Sequence, residues 1–344
     1  MKRLLLALLF AVAALPVMAQ GKFNIAWSHY TGWEPWAYMQ QAGILDKWAK
    51  KYKIEIELTL VNDYVESINL YTSGRFIGCA MTNMDVLTIP AVGGVDSTAL
   101  IVGDFSNGND GIVMKNGKSV KELKGRTVAL VEFTVSHYML ARALEMNGMS
   151  EREIRTVNTS DSDIAAIFTA APNGAAVTWN PPLQQARNAK GATLVFDSSK
   201  IPGEIIDLMV VRTNAPDSLK KALVGAWYET MSIMSGSDKA AEDAIAFMAK
   251  SSAATVPEFK AQLATTAMFY KAADAVAFVT GPQLKKTMEY VRTFSYDKKL
   301  FGQRARSKDF VGIALPDGTV LGDPKNVKLR FSAEFMKLAA DGKL

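Results

Sequence analysis

The chain has 344 residues, a formal net charge of +5 and a single cysteine, Cys79. Its basic residues are scattered through helical segments without a nucleic-acid motif, which argues against a nucleic-acid-binding protein. One thiol cannot form an internal disulfide, and its apolar surroundings indicate a buried, unreactive side chain.

The first residues predict export. Lys2 and Arg3 precede the apolar run LLLALLFAVAALPV, and small residues follow it. A basic start, a short hydrophobic stretch and a small residue before the cut are typical of a secretory signal peptide. The run is too short to span a bilayer comfortably. We therefore expect residues 1–19 to be a signal peptide cleaved after Ala19, and the rest to be an exported, soluble protein.

Strands and helices alternate in the next part of the chain. The predicted order is a strand (FNIAW), one helix (PWAYMQQAGILDKWAKKY), a strand (KIEIELTLV), a helix (DYVESINLYTSG), a strand (FIGCAM), a short helix from Asp85 and a strand (TALIVG). Apolar residues recur with period two in KIEIELTLV, which indicates a strand with one buried face. This alternation predicts parallel βαβ units and an open α/β sheet covered on both faces.

The pattern then repeats. Predicted strands are GIVMK, RTVALV, IRTVNT, GAAVTW and ATLVF, and the helices between them are SHYMLARALEMNG, DSDIAAIFTA and PPLQQARNA. From Pro216 to about Lys299 the sequence is nearly all helical. The chain crosses between the two halves near GDFSNGNDG and EIIDLMVV. We expect residues 20–104 and 212–344 to form a discontinuous lobe one with a helical C-terminal tail, and residues 105–211 to form lobe two.

Several of these segments together resemble a known family. They are AGILDKWAKKY, TNMDVL, GRTVALVEFTVSHYML and TWNPP, in that order behind the predicted signal peptide. The whole mature chain resembles the type II periplasmic substrate-binding proteins of ABC importers, in the nitrate, taurine and alkanesulfonate group. Within that group it is most similar to the members encoded beside urea carboxylases, described as urea or guanidine importers.

The resemblance implies a specific role. It implies a monomeric, periplasmic, two-lobed protein that binds a small molecule between its lobes. That protein would deliver the molecule to a permease and ATPase complex in the inner membrane, as part of nitrogen uptake. The resemblance implies no enzymatic activity, no cofactor, no metal and no nucleic-acid partner.

Candidate ligand-binding residues follow the strands. In open α/β sheets ligands bind at the carboxyl ends of strands, which here are followed by SHYTGWEPW, TNMD, VEFTVSH and TWNPP. The second crossing adds one carboxylate. The candidates are Trp33, Glu34, Trp36, Asn83, Asp85, Glu132, Ser136, Trp179, Asn180 and Asp207.

The chemistry of these segments favours a cationic ligand. Glu34, Asp85 and Glu132 are carboxylates, whereas the four segments contain no Lys or Arg. An anion such as nitrate or a sulfonate needs positive charge, usually from arginine. Guanidinium offers only N–H donors and is attracted to aromatic faces. The sequence therefore favours guanidinium, then urea, with another small solute such as an amine or an anion as the alternative.

Structural roles are open for several candidates. Glu34, beside Pro35, suits the first turn of a helix, and Trp36 and Trp179 suit a core. Thr82 and Asp85 match a capping box. Asp207 suits a hinge hydrogen bond, and Asp104, His29 and His137 are interpreted as structural. Glu132 has no capping role.

An enzyme is the main alternative from another class. The same fold serves thiamin-pyrimidine synthesis, but that resemblance would require a cysteine-rich iron motif. The sequence shows no nucleophile triad at convincing spacing, no His/Cys cluster and no phosphate loop. A periplasmic sensor domain would require a membrane-anchored signalling partner.

Overall fold

Two β-sheets organise the chain in the computed structural model, which describes residues 21–303 and 305–344. The predicted signal peptide lies outside these residues. Over the described part of the chain, no helix is both long enough and apolar enough to cross a bilayer.

The larger sheet belongs to lobe one. Its strands run in the order β13-β12-β14-β4-β10-β3-β1-β2, and β11 pairs with the end of β4. They are β1 (Lys22–Trp27), β2 (Glu55–Leu60), β3 (Gly78–Thr82), β4 (Ser97–Ser106), β10 (Ile206–Arg212), β11 (Thr266–Met268), β12 (Gly312–Ala314), β13 (Val320–Leu321) and β14 (Val327–Phe331). The predicted parallel arrangement is present where β1 pairs with β2 and β3.

The smaller sheet belongs to lobe two and has the order β7-β6-β8-β5-β9. Its strands are β5 (Asp110–Lys115), β6 (Thr127–Leu130), β7 (Arg155–Asn158), β8 (Ala175–Trp179) and β9 (Ala192–Asp197). β6 is parallel to β7 and β8, whereas β5 is antiparallel to β8 and β9.

Helices cover both sheets. They are α1 (Glu34–Gln41), α2 (Ile44–Lys51), α3 (Tyr64–Thr72), α4 (Asn83–Val86), α5 (Val135–Met146), α6 (Ile164–Ala170), α7 (Pro182–Arg187), α8 (Asp217–Met234), α9 (Lys239–Ser251), α10 (Val256–Leu263), α11 (Ala272–Thr280), α12 (Pro282–Asp297) and α13 (Glu334–Ala340). A 3-10 turn (Thr31–Trp33) precedes α1, and a π-helical turn (Leu87–Ala91) extends α4.

One prediction about elements needs correction. The single helix expected over residues 35–52 is two helices, because Gly43 between them has φ of 71°, a left-handed conformation that glycine adopts without steric cost.

The helical stretch predicted from Pro216 to about Lys299 is present as α8 to α12, interrupted by the short strand β11. After α12 the chain adds β12, β13 and β14, and β14 pairs in parallel with β4.

The two chain crossings lie side by side in the larger sheet. β4 and β10 are antiparallel neighbours, and each leads between lobe one and lobe two. Their register places Asp207 directly opposite Asp104 on one side and opposite Thr82 of β3 on the other. Residues directly opposite each other in a sheet project from the same face. The crossings therefore place two carboxylates next to each other.

Candidate functional site

A small cavity lies between the lobes, at the carboxyl ends of β1 and β3. Lobe two contributes Asp110 and Trp179, which are cross-strand neighbours on β5 and β8, together with Val135 at the start of α5. The remaining lining comes from lobe one and the second crossing: Tyr30, Trp33, Tyr64, Thr82, Ile205 and Asp207.

The cavity is small. The centre of a water molecule can occupy about 10 Å³ of it, which is about the space that one water molecule needs. Sites for drug-sized ligands are larger, about 300–1,000 Å³.

Aromatic rings form the walls. The Trp33 and Tyr64 ring centroids are 5.6 Å apart, and Tyr64 meets Trp179 edge-on at 5.4 Å. Tyr30 packs against Trp33 at 5.1 Å. Aromatic rings that line a cavity can attract an organic cation through their negative faces.

The carboxylates supply negative charge on a second side. Asp207 and Asp110 line the cavity and are almost completely buried. Burial raises the pKa of Asp110 to about 7, and the coulombic effect of Asp85 raises it further. Burial also raises the pKa of Asp207 well above its ordinary value, with the neighbouring Asp104 and Asp110 adding to the shift. A positively charged group in the cavity would oppose both shifts.

Tyr64 connects the cavity to Asp85. The Tyr64 hydroxyl donates to Asp85 Oδ2 at 2.7 Å and accepts the Thr82 backbone N–H at 3.0 Å. Thr82 also donates its hydroxyl to Asp85 Oδ2 and caps α4 by accepting the Asp85 N–H. Only the Thr82 half of the expected capping box is therefore present, because the Thr82 N–H donates to Tyr64 and not to the Asp85 side chain. Burial raises the pKa of Asp85 to about 6, and its Oδ1 has no hydrogen-bond partner within the described residues.

Three of the sequence candidates line the cavity, namely Trp33, Trp179 and Asp207. Ser136 and Asn180 each follow a lining residue in the chain. Their buried Oγ and Oδ1 atoms have no hydrogen-bond partner within the described residues.

Two other candidates are engaged elsewhere. Trp36 packs against Trp227 of α8 with 5.0 Å between ring centroids, so it belongs to the core of lobe one. Asn83 accepts the N–H of Ile206 at 3.0 Å and donates to the Glu204 carbonyl at 3.2 Å, which ties α4 to the second crossing. These contacts account for the burial of both side chains without a ligand.

The two glutamates do not line the cavity. Glu132 accepts a hydrogen bond from Thr156 of β7, beside the exposed side of lobe two. Glu34 is fully buried and accepts from His29 Nδ1 at 2.6 Å. The prediction that they hold the ligand is therefore corrected, because Asp110 and Asp207 occupy the lining positions.

The lining also includes residues that the sequence candidates omitted, chiefly Tyr30, Tyr64 and Asp110. Tyr64 follows β2, and the carboxyl-end rule applied to that strand would have found it. Tyr30 lies in SHYTGWEPW, the first of the four segments that follow strands. Asp110 lies in the Gly- and Asn-rich first crossing, GDFSNGNDG, which supplies none of the sequence candidates.

Hydrogen bonds between the lobes close the cavity. Trp179 Nε1 of lobe two donates to the carbonyl of His29 at 3.2 Å. The Tyr64 N–H donates to Asp161 Oδ1 at 3.3 Å, and the Ser160 hydroxyl donates to Asp63 Oδ2 at 3.1 Å. The structure is therefore that of the closed form.

The charged side chains of the lining are acidic. Within residues 21–303 and 305–344, no group of three His, Cys, Asp or Glu side chains could hold a metal ion. The lining residues of this described part include no Lys or Arg. What remains is an acidic, aromatic cavity.

Solved structures share this architecture. The alkanesulfonate-binding protein SsuA from Xanthomonas axonopodis pv. citri superposes with a TM-score of 0.66 and 14% identity, over 83% of this chain and 96% of that chain. The fold is that of the two-lobed periplasmic binding proteins. The aliphatic sulphonate binding protein SsuA from Escherichia coli gives 0.65 and 16% over the same shares. The nitrate-binding protein NrtA from Synechocystis PCC 6803 gives 0.58 and 12%, over 95% of this chain and 99% of that chain.

Sequence relationships are more remote. Residues 104–224 match the family described as NMT1/THI5 like, which covers lobe two and both crossings. No curated protein matches the chain by sequence.

Proposed function

We propose that the protein is the periplasmic solute-binding component of an ABC importer, and that its ligand is guanidinium, with urea second. In this role it acts as a monomer and delivers the ligand to a permease and ATPase complex in the inner membrane. The similarity to sulfonate- and nitrate-binding proteins supports the transport role, and the chemistry of the cavity supports the ligand.

One observation carries the choice of ligand: a carboxylate that lines the cavity has a buried acceptor atom without a partner. Asp207 Oδ2 has no hydrogen-bond partner within the described residues. A buried polar atom without a partner costs roughly 1–3 kcal/mol, and more when it is charged. A ligand that brings N–H groups to Asp207 removes this cost. Guanidinium brings only donors and also a positive charge.

Urea fits less well because of its carbonyl. That oxygen needs a donor, and the Tyr30 and Tyr64 hydroxyls already donate to Asp104 and Asp85. The Trp33 indole N–H has no partner among the described residues and is the donor that urea would use. A neutral ligand also leaves the charge of Asp110 and Asp207 uncompensated.

Nitrate and sulfonates are the alternative that the structural neighbours suggest. They would place negative charge between Asp110 and Asp207 without a basic side chain in the lining. Such an arrangement adds repulsion to the desolvation of the anion. The cavity therefore favours the cation.

Calorimetry with matched acid-to-amide variants tests the ligand. The panel is guanidinium, urea, methylammonium, nitrate, bicarbonate and taurine. A hydrogen bond to a charged group contributes about 1.5–3 kcal/mol. Asp207→Asn and Asp110→Asn should therefore each weaken guanidinium binding roughly ten- to a hundredfold. Urea binding should weaken less because urea carries no charge.

Glu132→Gln is the matched control. It removes a carboxylate from the turn after β6, but that carboxylate contacts Thr156 and not the cavity. Guanidinium affinity should be unchanged in this variant. Tight binding of nitrate, bicarbonate or taurine that persists in Asp207→Asn would refute the cationic ligand.

The transport role has its own test. The permease and ATPase encoded beside the gene, reconstituted in vesicles, should hydrolyse ATP faster when the ligand-loaded protein is added. The control is another binding protein that stimulates the same complex. If the complex responds to that protein but not to this ligand-loaded protein, the importer assignment is refuted.

A further inference from the structure

The two chain crossings place a pair of carboxylates in direct contact with each other. Asp104 of β4 and Asp207 of β10 are directly opposite in the antiparallel register, and both are almost completely buried. Like charges opposite each other destabilise a sheet. Two acids at directly opposite positions of a sheet therefore lower its stability. Positions at which a sequence departs from what stability favours are expected to be functional.

No basic side chain among residues 21–303 and 305–344 contributes to the pKa shifts of this pair. The titratable groups that face it are Tyr30 from the turn after β1, Asp110 from β5 and Tyr270 after β11. Tyr30 donates its hydroxyl to Asp104 Oδ1 at 3.0 Å. The Oδ2 atoms of Asp104 and Asp207 have no other partner within the described residues.

Space for the pair is built into the turn after β1. A Cβ atom on Gly32 would overlap Asp104 Oδ2 and the ring of Tyr30. Glycine at this position therefore lets the Asp104 carboxylate lie close to the backbone. Asp104 is held there from three sides, by Gly32, Tyr30 and Asp207.

We propose that Asp104 and Asp207 share one proton when the cavity is free of ligand, and that a cationic ligand expels this proton on binding. This inference rests on the proposed function for its ligand and goes beyond it in assigning a role to Asp104. Asp104 does not line the cavity. It is a positioning residue that sets the protonation of Asp207, which does line the cavity.

The exchange balances in charge. In the ligand-free protein the proton forms a hydrogen bond between the two carboxyl groups and leaves the pair with one negative charge. Guanidinium enters with one positive charge, the proton leaves to solvent, and the net charge of the site is unchanged. Urea brings no charge and leaves the proton in place. The pair therefore discriminates between a cation and a neutral molecule of the same shape.

Burial and the facing acids raise the pKa of both groups above that of an unfolded aspartate. A carboxyl group whose pKa is raised by folding makes its full contribution to the free energy of unfolding below its unfolded-state pKa, near 3.9. That stability is lost as the pH rises toward the folded pKa. The ligand-free protein should therefore lose stability from the pair between about pH 4 and pH 8.

The first test needs no ligand. Thermal unfolding midpoints of the ligand-free wild type and of Asp104→Asn are measured from pH 5 to pH 9. Because the variant removes one acid of the pair, its midpoint should rise relative to wild type as the pH increases. Asp207→Asn should behave in the same way, which keeps the test decisive if one variant does not fold. Asp46→Asn, at an exposed position of α2, is the control and should show a constant difference.

The second test counts protons. Calorimetric titration of wild type with guanidinium at pH 7, in phosphate and in Tris, gives the protons released per ligand. The number released should be lower for Asp104→Asn than for wild type, by up to about one. Release from Asp110, whose pKa is about 7, is common to both proteins and cancels in this difference. Guanidinium affinity of wild type should rise up to about tenfold per pH unit below the pKa of the pair. Urea should release none.

The outcomes are distinguishable. A midpoint difference that does not change with pH in either variant overturns the shared proton. If the heat of guanidinium binding is the same in phosphate and in Tris, no proton passes to the buffer, and the proposed release of a proton on binding is wrong. If guanidinium does not bind at all, the proposed ligand is wrong, and the pH dependence of the ligand-free variants still decides whether the pair holds a proton.

Discussion

Two tryptophans face the cavity and a third, close in sequence, does not. Trp33 and Trp179 line it, whereas Trp36 packs against Trp227. Binding of guanidinium should therefore change tryptophan emission, because a cation beside an indole alters its electrostatic surroundings. Trp33→Phe combined with Trp179→Phe should remove most of that change.

Trp36→Phe is the control for this measurement. It should lower the total emission and keep the guanidinium-induced change. A double variant that binds guanidinium and retains the full signal would mean that the response arises from other tryptophans.

The sequence shows which turns after strands contribute residues to the cavity. It does not show the direction in which each side chain of a turn points. Glu132 and Asp110 illustrate the difference. Glu132 follows a strand end, as a ligand residue should, yet it turns toward Thr156. Asp110 reaches the cavity because it is paired with Trp179 across β5 and β8. That pairing joins residues about seventy positions apart and is not visible in a local pattern.

At the scale of elements, α5 is fixed to the second crossing. Arg142 makes two hydrogen bonds to the Glu204 carboxylate, at 2.9 and 3.0 Å, and Tyr138 donates to the same group at 2.6 Å. The Arg142 guanidinium also lies 4.6 Å from the ring centroid of Tyr290 on α12. This cluster connects lobe two, the crossing and the C-terminal helices.

Removal of the arginine should destabilise the protein. Arg142→Met keeps the length of the side chain but deletes the bidentate pair, which is mostly buried. We expect a loss of about 1–3 kcal/mol in the free energy of unfolding, measured by denaturant titration.

Lys239→Met is the matched control. Its ion pair with Asp243 is exposed and spans one helical turn. Exposed pairs of this kind contribute little, so the unfolding midpoint should be nearly unchanged. Equal losses in the two variants would contradict the role given to Arg142.

The type of an element, helix or strand, was predictable where the hydrophobic pattern in the sequence is long. It was less predictable where that pattern is interrupted. The parallel order of β2, β1 and β3 follows from alternation of strand and helix. The division of α1 from α2 depends on one residue, Gly43, whose left-handed backbone ends one helix and begins the next. The strand β14 has five residues and is positioned in the sheet by its pairing with β4. Such short strands depend on tertiary contacts more than on local preference.

At the scale of the whole molecule, closure should depend on the ligand. Three hydrogen bonds join the lobes at the rim of the cavity, and Tyr290 of α12 and Lys298 directly after that helix also contact Glu145 and Glu151 of lobe two. Each rim hydrogen bond contributes only about 0.5–1.5 kcal/mol. A ligand that contacts both lobes would add attraction on the cavity side, and we therefore expect it to favour closure there.

Small-angle X-ray scattering should show this difference. The radius of gyration of wild type should decrease on addition of saturating guanidinium. Asp207→Asn at a guanidinium concentration that saturates only wild type should show a smaller decrease. An unchanged radius in wild type at saturation would contradict ligand-driven closure.

The small volume of the cavity has a consequence for kinetics. A molecule bound against Trp33 and Tyr64 of lobe one and Trp179 of lobe two is contacted from both lobes. We therefore expect it to leave when the lobes open, and in that case its dissociation rate constant cannot exceed the rate of opening. Any change that slows opening lengthens residence of the ligand, even where it contacts no ligand atom. An acceptor that takes up the ligand must therefore act on the lobes, by separating them, and not on the ligand directly.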